Sequence, residues 1–285
     1  MDSIRKSFTR ASVRIALVVG FGVVFLPLFS QGFAEDSAFA WLANISPAND
    51  NSAGLLKPYR ATYSFGWSGL LAGRAEMEMS LPQPSIFAVK VTAHSIGWAR
   101  SLWKMNALYE GRGQLEDVRS IEFTQDEYYS KHRIHIETKF RSEEIDVIRQ
   151  RFPSPSESKW RTLPIPNLRD ILATALLIRN QPLQTGDTVV VPCFPGDDPY
   201  LVTIHCLRRE SFEYKGSAIP AIKIQLQLQK IHTKGELKGG MEPHKKFRQA
   251  TVWLADNEYR LPLRAEVNVF VGFIYAEMET FTPSN

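Results

Sequence analysis

The chain predicts a mainly β fold, a strongly curved antiparallel sheet or incomplete β-barrel with one apolar α-helix packed on its concave side. Three observations predict it. Segment after segment alternates apolar and polar residues with a period of two. A single stretch, 166–182, carries a strong helical period instead. That stretch is also apolar almost all round, so it has to be covered on more than one side, and about a dozen strands suit a sheet that bends around it.

The N-terminus carries Arg5, Lys6, Arg10 and Arg14 ahead of a nearly unbroken apolar run from Ile15 to Phe29, then small residues at Gly32 and Ala34. This order predicts a secretory signal over 1–34, cleaved after Ala34, and a periplasmic protein without a transmembrane span in its mature chain. The whole chain has net charge +4 from 34 basic and 30 acidic residues. The leader holds four of the basic residues and one acid, Asp2, so the remainder is 30 against 29, or +1. A nucleic-acid partner is thereby disfavoured, since it requires a basic face on the mature domain. Residues 35–57 lack a clean period and read as a flexible leader. A single curved-sheet domain is expected over 58–285.

Order begins at Pro58. Tyr59, Ala61, Tyr63, Phe65 and Trp67 alternate with polar or small residues. After the Ser68-Gly69 turn, Leu71, Gly73, Ala75, Met77 and Met79 alternate with Arg74, Glu76 and Glu78. The pattern is a hairpin with one apolar and one wet face. Phe87, Val89, Val91 and Ala93 mark a third strand. Between strands, 95–105 breaks the period and carries Trp98 and Trp103, either a loop closing one end of the core or a rim over an apolar pocket. Strands resume over 107–113, 121–128, 133–140 and 145–151. Pro153, Pro155, Pro164 and Pro166 then predict an exposed, stiff connection into the helix.

In the helix, Leu168, Ile171, Leu172, Ala175 and Leu176 share one face, with Leu177 and Ile178 widening it. Asn167 reads as the N-cap with Asp170 supporting the positive end, Arg179 sits in the last turn, and Pro182 stops the helix. Packing on a sheet and plugging an apolar cavity both fit.

Strands continue over 188–193, 200–207 and 221–231. Cys193 and Cys206, the two cysteines present, flank a turn at Asp197-Asp198. An oxidising compartment permits a disulfide between them. A tight turn sets them about 13 Å apart at ~3.3 Å per residue, which is too far, whereas a wider loop sets them opposite each other. The loop 230–248 is basic through Lys234, Lys238, Lys245 and Lys246, either a solvated hairpin tip or an anion contact. Ala250 to Leu254, then 263–271 and 273–280, complete the sheet.

Three stretches together resemble a known family: Y-R-A-T-Y-S-F-G-W-S-G-L-L-A-G-R-A from Tyr59, R-D-I-L-A-T-A-L-L-I-R-N-Q-P-L-Q-T-G-D from Arg169, and W-L-A-D-N-E-Y-R-L-P-L-R-A-E-V from Trp253. They resemble an uncharacterised family of bacterial envelope proteins, the domain of unknown function three thousand one hundred and eight. The resemblance implies an exported, mostly β domain with no established activity and no catalytic positions to carry over. Cys193, Cys206 and the basic loop lie outside its pattern. More loosely, a curved sheet holding a helix is similar in shape to envelope lipoprotein-carrier and lipid-binding folds.

Catalytic chemistry is poorly represented. No H-E-x-x-H or C-x-x-C offers a zinc site, and His132 and His135 fall on opposite faces of a strand. Gly66-Trp67-Ser68-Gly69-Leu70 lacks the second glycine of a nucleophile elbow. The pairs Glu76 with Glu78 and Glu277 with Glu279 sit on the wet face, where carboxylates keep ordinary acidity. A non-enzymatic domain without cofactor is therefore expected. Its ligand is an acyl chain or other apolar molecule, lined by Tyr63, Phe65, Trp67, Met77, Met79, Trp98, Trp103, Leu172 and Leu176. The alternative is an envelope scaffold that binds another protein through a sheet edge or the basic loop.

Overall fold

The computed structural model of the chain describes residues 38–45, 56–154, 158–244, 249–269 and 272–284. The signal segment, its cleavage position after Ala34, most of the leader, and Lys245 and Lys246 lie outside the described residues.

Sixteen strands join into one sheet. The first eight, β1 (Tyr59–Trp67), β2 (Leu70–Gln83), β3 (Ile86–Ser95), β4 (Met105–Gln114), β5 (Arg119–Tyr129), β6 (Arg133–Phe140), β7 (Ile145–Phe152) and β8 (Lys159–Leu163), form a meander in which each pairs antiparallel with the next. The rest are β9 (Arg169–Asp170), β10 (Thr188–Phe194), β11 (Tyr200–Tyr214), β12 (Ser217–Ile231), β13 (Met241–Pro243), β14 (Ala250–Ala255), β15 (Pro262–Asn268) and β16 (Phe273–Pro283). β16 returns to pair with β1, so the two halves are continuous. Across the sheet the order is β8 down to β1, then β16, β15, β14, β12, β11, β10 and β9, with β13 beside β12. The two-residue β9 pairs parallel with β10. β8 and β9 do not pair with each other, so the sheet is not closed.

Among the described residues three helices accompany it: α1 (Ala40–Ala43), α2 (Gly97–Leu102) and α3 (Ile171–Arg179). The apolar helix expected from the sequence is α3, and α2 lies within 95–105, where the strand period breaks. The leader is not simply draped, because Phe39 and Leu42 are buried and Trp41 Nε1 donates to the Gly239 carbonyl at 3.0 Å. No helix among the described residues is long and apolar enough to cross a membrane.

The first hairpin shows why the alternation sets the core. Ser68 and Gly69 both take positive φ, 46° and 84°, the conformation a tight two-residue turn demands. Tyr59, Ala61 and Phe65 are buried, as are Phe87, Val89, Val91 and Ala93 of β3. Leu71 departs from expectation and is exposed. The register shifts between Phe65 and Gly66, where Phe65 faces Gly73 and Gly66 faces Leu71. This bulge turns Ala72 inward and Leu71 out.

The connection before α3 is also corrected. β8 lies within it, and Leu163, Ile165 and Leu168 are buried. Together with Phe39, Leu42, Ile134, Ile136, Phe194 and Leu201 they form a second core cluster. Apolar side chains of β6 to β8 and of β10 to β12 thereby meet across the gap that hydrogen bonds leave open.

In the turn between β10 and β11, Asp197 and Asp198 are buried. Asp197 pairs with Arg149 of β7 at 3.2 Å, Arg161 of β8 donates to the Asp197 carbonyl, and Asp198 pairs with Lys230 at 2.9 Å. A Cβ on Gly196 would lie 2.8 Å from Gln125 Oε1, so only glycine fits this approach. The turn is a side-chain clasp between the two halves.

The disulfide is excluded by the same hairpin. Cys193 faces Tyr200, so Cys206 lies six residues further along, about 20 Å at ~3.3 Å per residue. Both cysteines are free and buried.

Candidate functional site

The helix α3 organises the candidate site. Ile171 to Thr174 and Leu176 to Arg179 are all buried, as its nearly all-round apolarity requires. Its N-cap is Asp170, not Asn167: Asn167 has φ 60° and Arg169–Asp170 are extended beside β10, so the helix starts later than its composition suggests. Asp170 Oδ1 accepts from the amides of Leu172 (2.7 Å) and Ala173 (3.0 Å), and Oδ2 accepts from the Ser120 hydroxyl at 2.5 Å. Burial pushes this carboxyl up from the usual carboxylate range, opposed in part by those hydrogen bonds. Arg169 donates to the carbonyls of Val118 and Asp117, pinning the same end to the start of β5. Gly111 of β4 admits the helix closely, since a Cβ there would meet Leu172 Cδ1 at 3.2 Å.

At the other end Arg179 donates from Nε (3.2 Å) and Nη2 (2.6 Å) to the Tyr259 carbonyl and from Nη1 to the Tyr59 hydroxyl at 2.8 Å. Its guanidinium faces the Tyr59 ring 4.8 Å from the centroid, and the Tyr59 hydroxyl also meets Met77 Sδ at 3.0 Å. Arg260 donates to the carbonyls of Arg179 and Gln181. Beside these, Lys57 pairs with Glu258 at 2.5 Å and Arg209 with Asp256 at 2.8 Å. Between the helix and β12 and β14 runs an apolar crevice of about 30 Å³, walled by Ala175, Ile178, Ile224, Leu226, Val252 and Leu254, with Arg179 at its lining.

The structure divides the ligand residues expected from the sequence. Phe65, Met79, Leu172 and Leu176 are buried core. Met77 reaches the α3 C-terminus through Tyr59. Tyr63 is half-buried with its hydroxyl buried and unpartnered, and burial pushes its pKa well above the ordinary phenol value. Trp67 lies at the far end of β1, about 26 Å from Tyr59 at ~3.3 Å per residue. Trp98 of α2 is exposed near that far end, and Ile96 donates to the Ala72 carbonyl there. Trp103 packs on Tyr129, centroids 6.3 Å apart. Leu70, Leu71 and Leu102 are exposed in the same region. The tryptophan rim and the α3 C-terminus therefore stand at opposite ends of β1. In the basic loop Lys234 is exposed and Lys238 lies over the Phe39 ring at 5.9 Å.

The carboxylate pairs of the wet face are bound to arginines: Arg60 to Glu76 (3.1 Å) and Glu78 (2.9 Å), Arg74 to Glu279 (3.2 Å), and Arg264 to Glu277. His135 pairs with Asp126 and Glu137, and His132 stacks on Tyr129. A buried polar group was missed. Glu127 is 1 % exposed and accepts from Tyr109 (2.8 Å), Gln125 (2.7 Å) and Tyr129 (2.7 Å). The parity of β5 contained the signal, because Gln125 and Glu127 share the face of Phe123.

A family model described as protein of unknown function DUF3108 matches residues 58–279, and the chain belongs to that family. No curated protein matches. Among solved structures, a β-barrel-like protein of the domain of unknown function DUF1849 from Brucella abortus is 11% identical, covers 81% of this chain and 99% of its own, and superposes with TM-score 0.55, so the fold is shared. A Bacteroides fragilis protein described as exported, with a YmcC-like fold, is 7% identical over 80% of this chain and 96% of its own, with TM-score 0.35. The Mycobacterium tuberculosis lipoprotein LppX is 15% identical over 86% of this chain and 97% of its own, with TM-score 0.24.

Proposed function

We propose that this member of the DUF3108 family is an exported, non-catalytic binding domain of the cell envelope. Its helix α3 lies on the concave side of the curved sheet and closes over an apolar chain. The observation that carries this reading is the crevice between α3 and β12 and β14, whose walls are aliphatic on both sides. At about 30 Å³ it is far below the ~300–1,000 Å³ of ligand pockets, so uptake of a long chain requires α3 to yield. The arginine-bound carboxylates of the outer face support a role without catalysis, and the basic and apolar order of residues 1–29 supports export. The test is native mass spectrometry of protein purified without detergent, followed by titration with hexadecan-1-ol, for the wild type and for Val252→Trp, which fills the crevice. A bound aliphatic species in the wild type, lost in the variant, is expected. Failure of the wild type to take up any aliphatic probe refutes the proposal.

A second reading has its own observation. β8 pairs on one side with β7 alone, and its Trp160 is 74 % exposed. A partner's extended segment would add a strand there and cover the indole. Co-purification of a stoichiometric envelope partner, lost in Trp160→Asp but kept in Lys234→Glu, would favour this edge over the basic loop.

A further inference from the structure

Arg179 is 5 % exposed, and none of its partners among the described residues is a carboxylate. Removing a guanidinium from water is costly unless an opposite charge or several acceptors replace the water. The Tyr59 ring offsets part of that cost, and the C-terminal dipole of α3 another part. Of its five N–H groups, three have acceptors among the described residues, and two are without one there. The neighbouring acids are already committed, Glu258 to Lys57 and Asp256 to Arg209, while Arg260 donates to carbonyls at the same helix end. Positive charge in excess of its partners therefore sits where aliphatic walls begin.

We propose that the crevice takes an amphiphile whose anionic head, a carboxylate or a phosphate monoester, pairs with Arg179 while its chain lies against Ile178, Ile224, Leu226 and Leu254. This rests on the crevice being the apolar-chain site. An oxyanion supplies acceptors for both remaining N–H groups at once, which a neutral head cannot do with charge assistance.

The experiment compares equilibrium binding of hexadecanoate and hexadecan-1-ol to the full chain, at a pH where the carboxylate is ionised. Hexadecanoate is expected to bind at least about tenfold more tightly, equivalent to ~1.4 kcal/mol. Arg179→Gln is expected to erase the difference between acid and alcohol. Arg179→Lys, checked by its thermal midpoint, is expected to restore part of it. Equal binding of acid and alcohol by the wild type overturns the anionic head while leaving the apolar-chain site standing, and binding of neither overturns both. If Arg179→Gln does not fold, the wild-type comparison decides. Hexadecyl phosphate binding far more tightly than inorganic phosphate supports the amphiphile; equal binding reassigns the site to a free anion and overturns it.

Discussion

Replacing Asp170 with Ala removes the joint between α3 and the first half of the sheet. The carboxylate is fully buried, caps the amides of Leu172 and Ala173, and takes the Ser120 hydroxyl, while Ser120 Oγ accepts the Asp170 amide at 2.8 Å. Loss of the cap costs about 1 kcal/mol. A buried Ser120 hydroxyl without its acceptor adds about 1–3 kcal/mol. The sum is about 3 kcal/mol, which at ~2–4 °C per kcal/mol for a domain of this size lowers the thermal midpoint by about 6–12 °C. Urea titrations of Asp170→Ala, Ser120→Ala and the double variant measure it, with a coupling of at least ~1 kcal/mol expected. A cost below ~1 kcal/mol, or strict additivity, would refute the reasoning. Asp170→Asn keeps an acceptor for the cap and removes the charge. Because burial holds the folded carboxyl above its unfolded value, the folded state binds the proton more strongly. Its contribution is complete below the unfolded value of ~3.9 and is lost as pH rises through the raised folded value. Wild type should therefore gain stability relative to Asp170→Asn as pH falls through that window, and the opposite slope would contradict the assigned burial.

Three further outcomes follow from the same geometry. With both cysteines free and buried, and burial pushing the Cys193 thiol far up, neither should react in the folded protein, and two thiols should label on unfolding without reductant; any fewer restores the disulfide. Gly73→Ala would set a Cβ 2.1 Å from Phe65 Cζ and 2.5 Å from the His94 carbonyl, so a loss of at least ~2 kcal/mol is expected, and a neutral effect in denaturant titration would mean β1 and β2 pair differently. Asp197→Ala leaves Arg149 without its carboxylate; since Arg149 is 31% exposed, water screens part of the cost, and a loss of about 1–3 kcal/mol is expected, with hydrogen exchange quickening first in β7 and β8.

The strands were legible because alternation is a local record of which face is buried. Phe87, Val89, Val91 and Ala93 needed no knowledge of their neighbours. The candidate site was less legible. Met77 and Arg179 both meet the Tyr59 hydroxyl, whereas Trp98 and Trp103 were grouped with Tyr63 and Met77 as ligand residues only because all are aromatic or soft residues on strands and a short turn. Arg179 read as a last-turn cation, and nothing local reveals that its partners lie 120 and 80 residues away. Leu71 was misplaced by one bulge, since inserting a residue reverses every side chain beyond it.

By itself the sequence determined the β class, the positions of the hairpins, and a helix too apolar to stand in water, because periods of two and 3.6 residues and turn-forming residues act over a few positions. Only the tertiary structure decided that Asp170 caps α3, that Asp197, Asp198 and Glu127 go inside, and that β8 and β9 remain apart while side chains bridge them. Those outcomes depend on which distant strands pair and in what register, and a buried charge is tolerable only where such pairing brings it a partner.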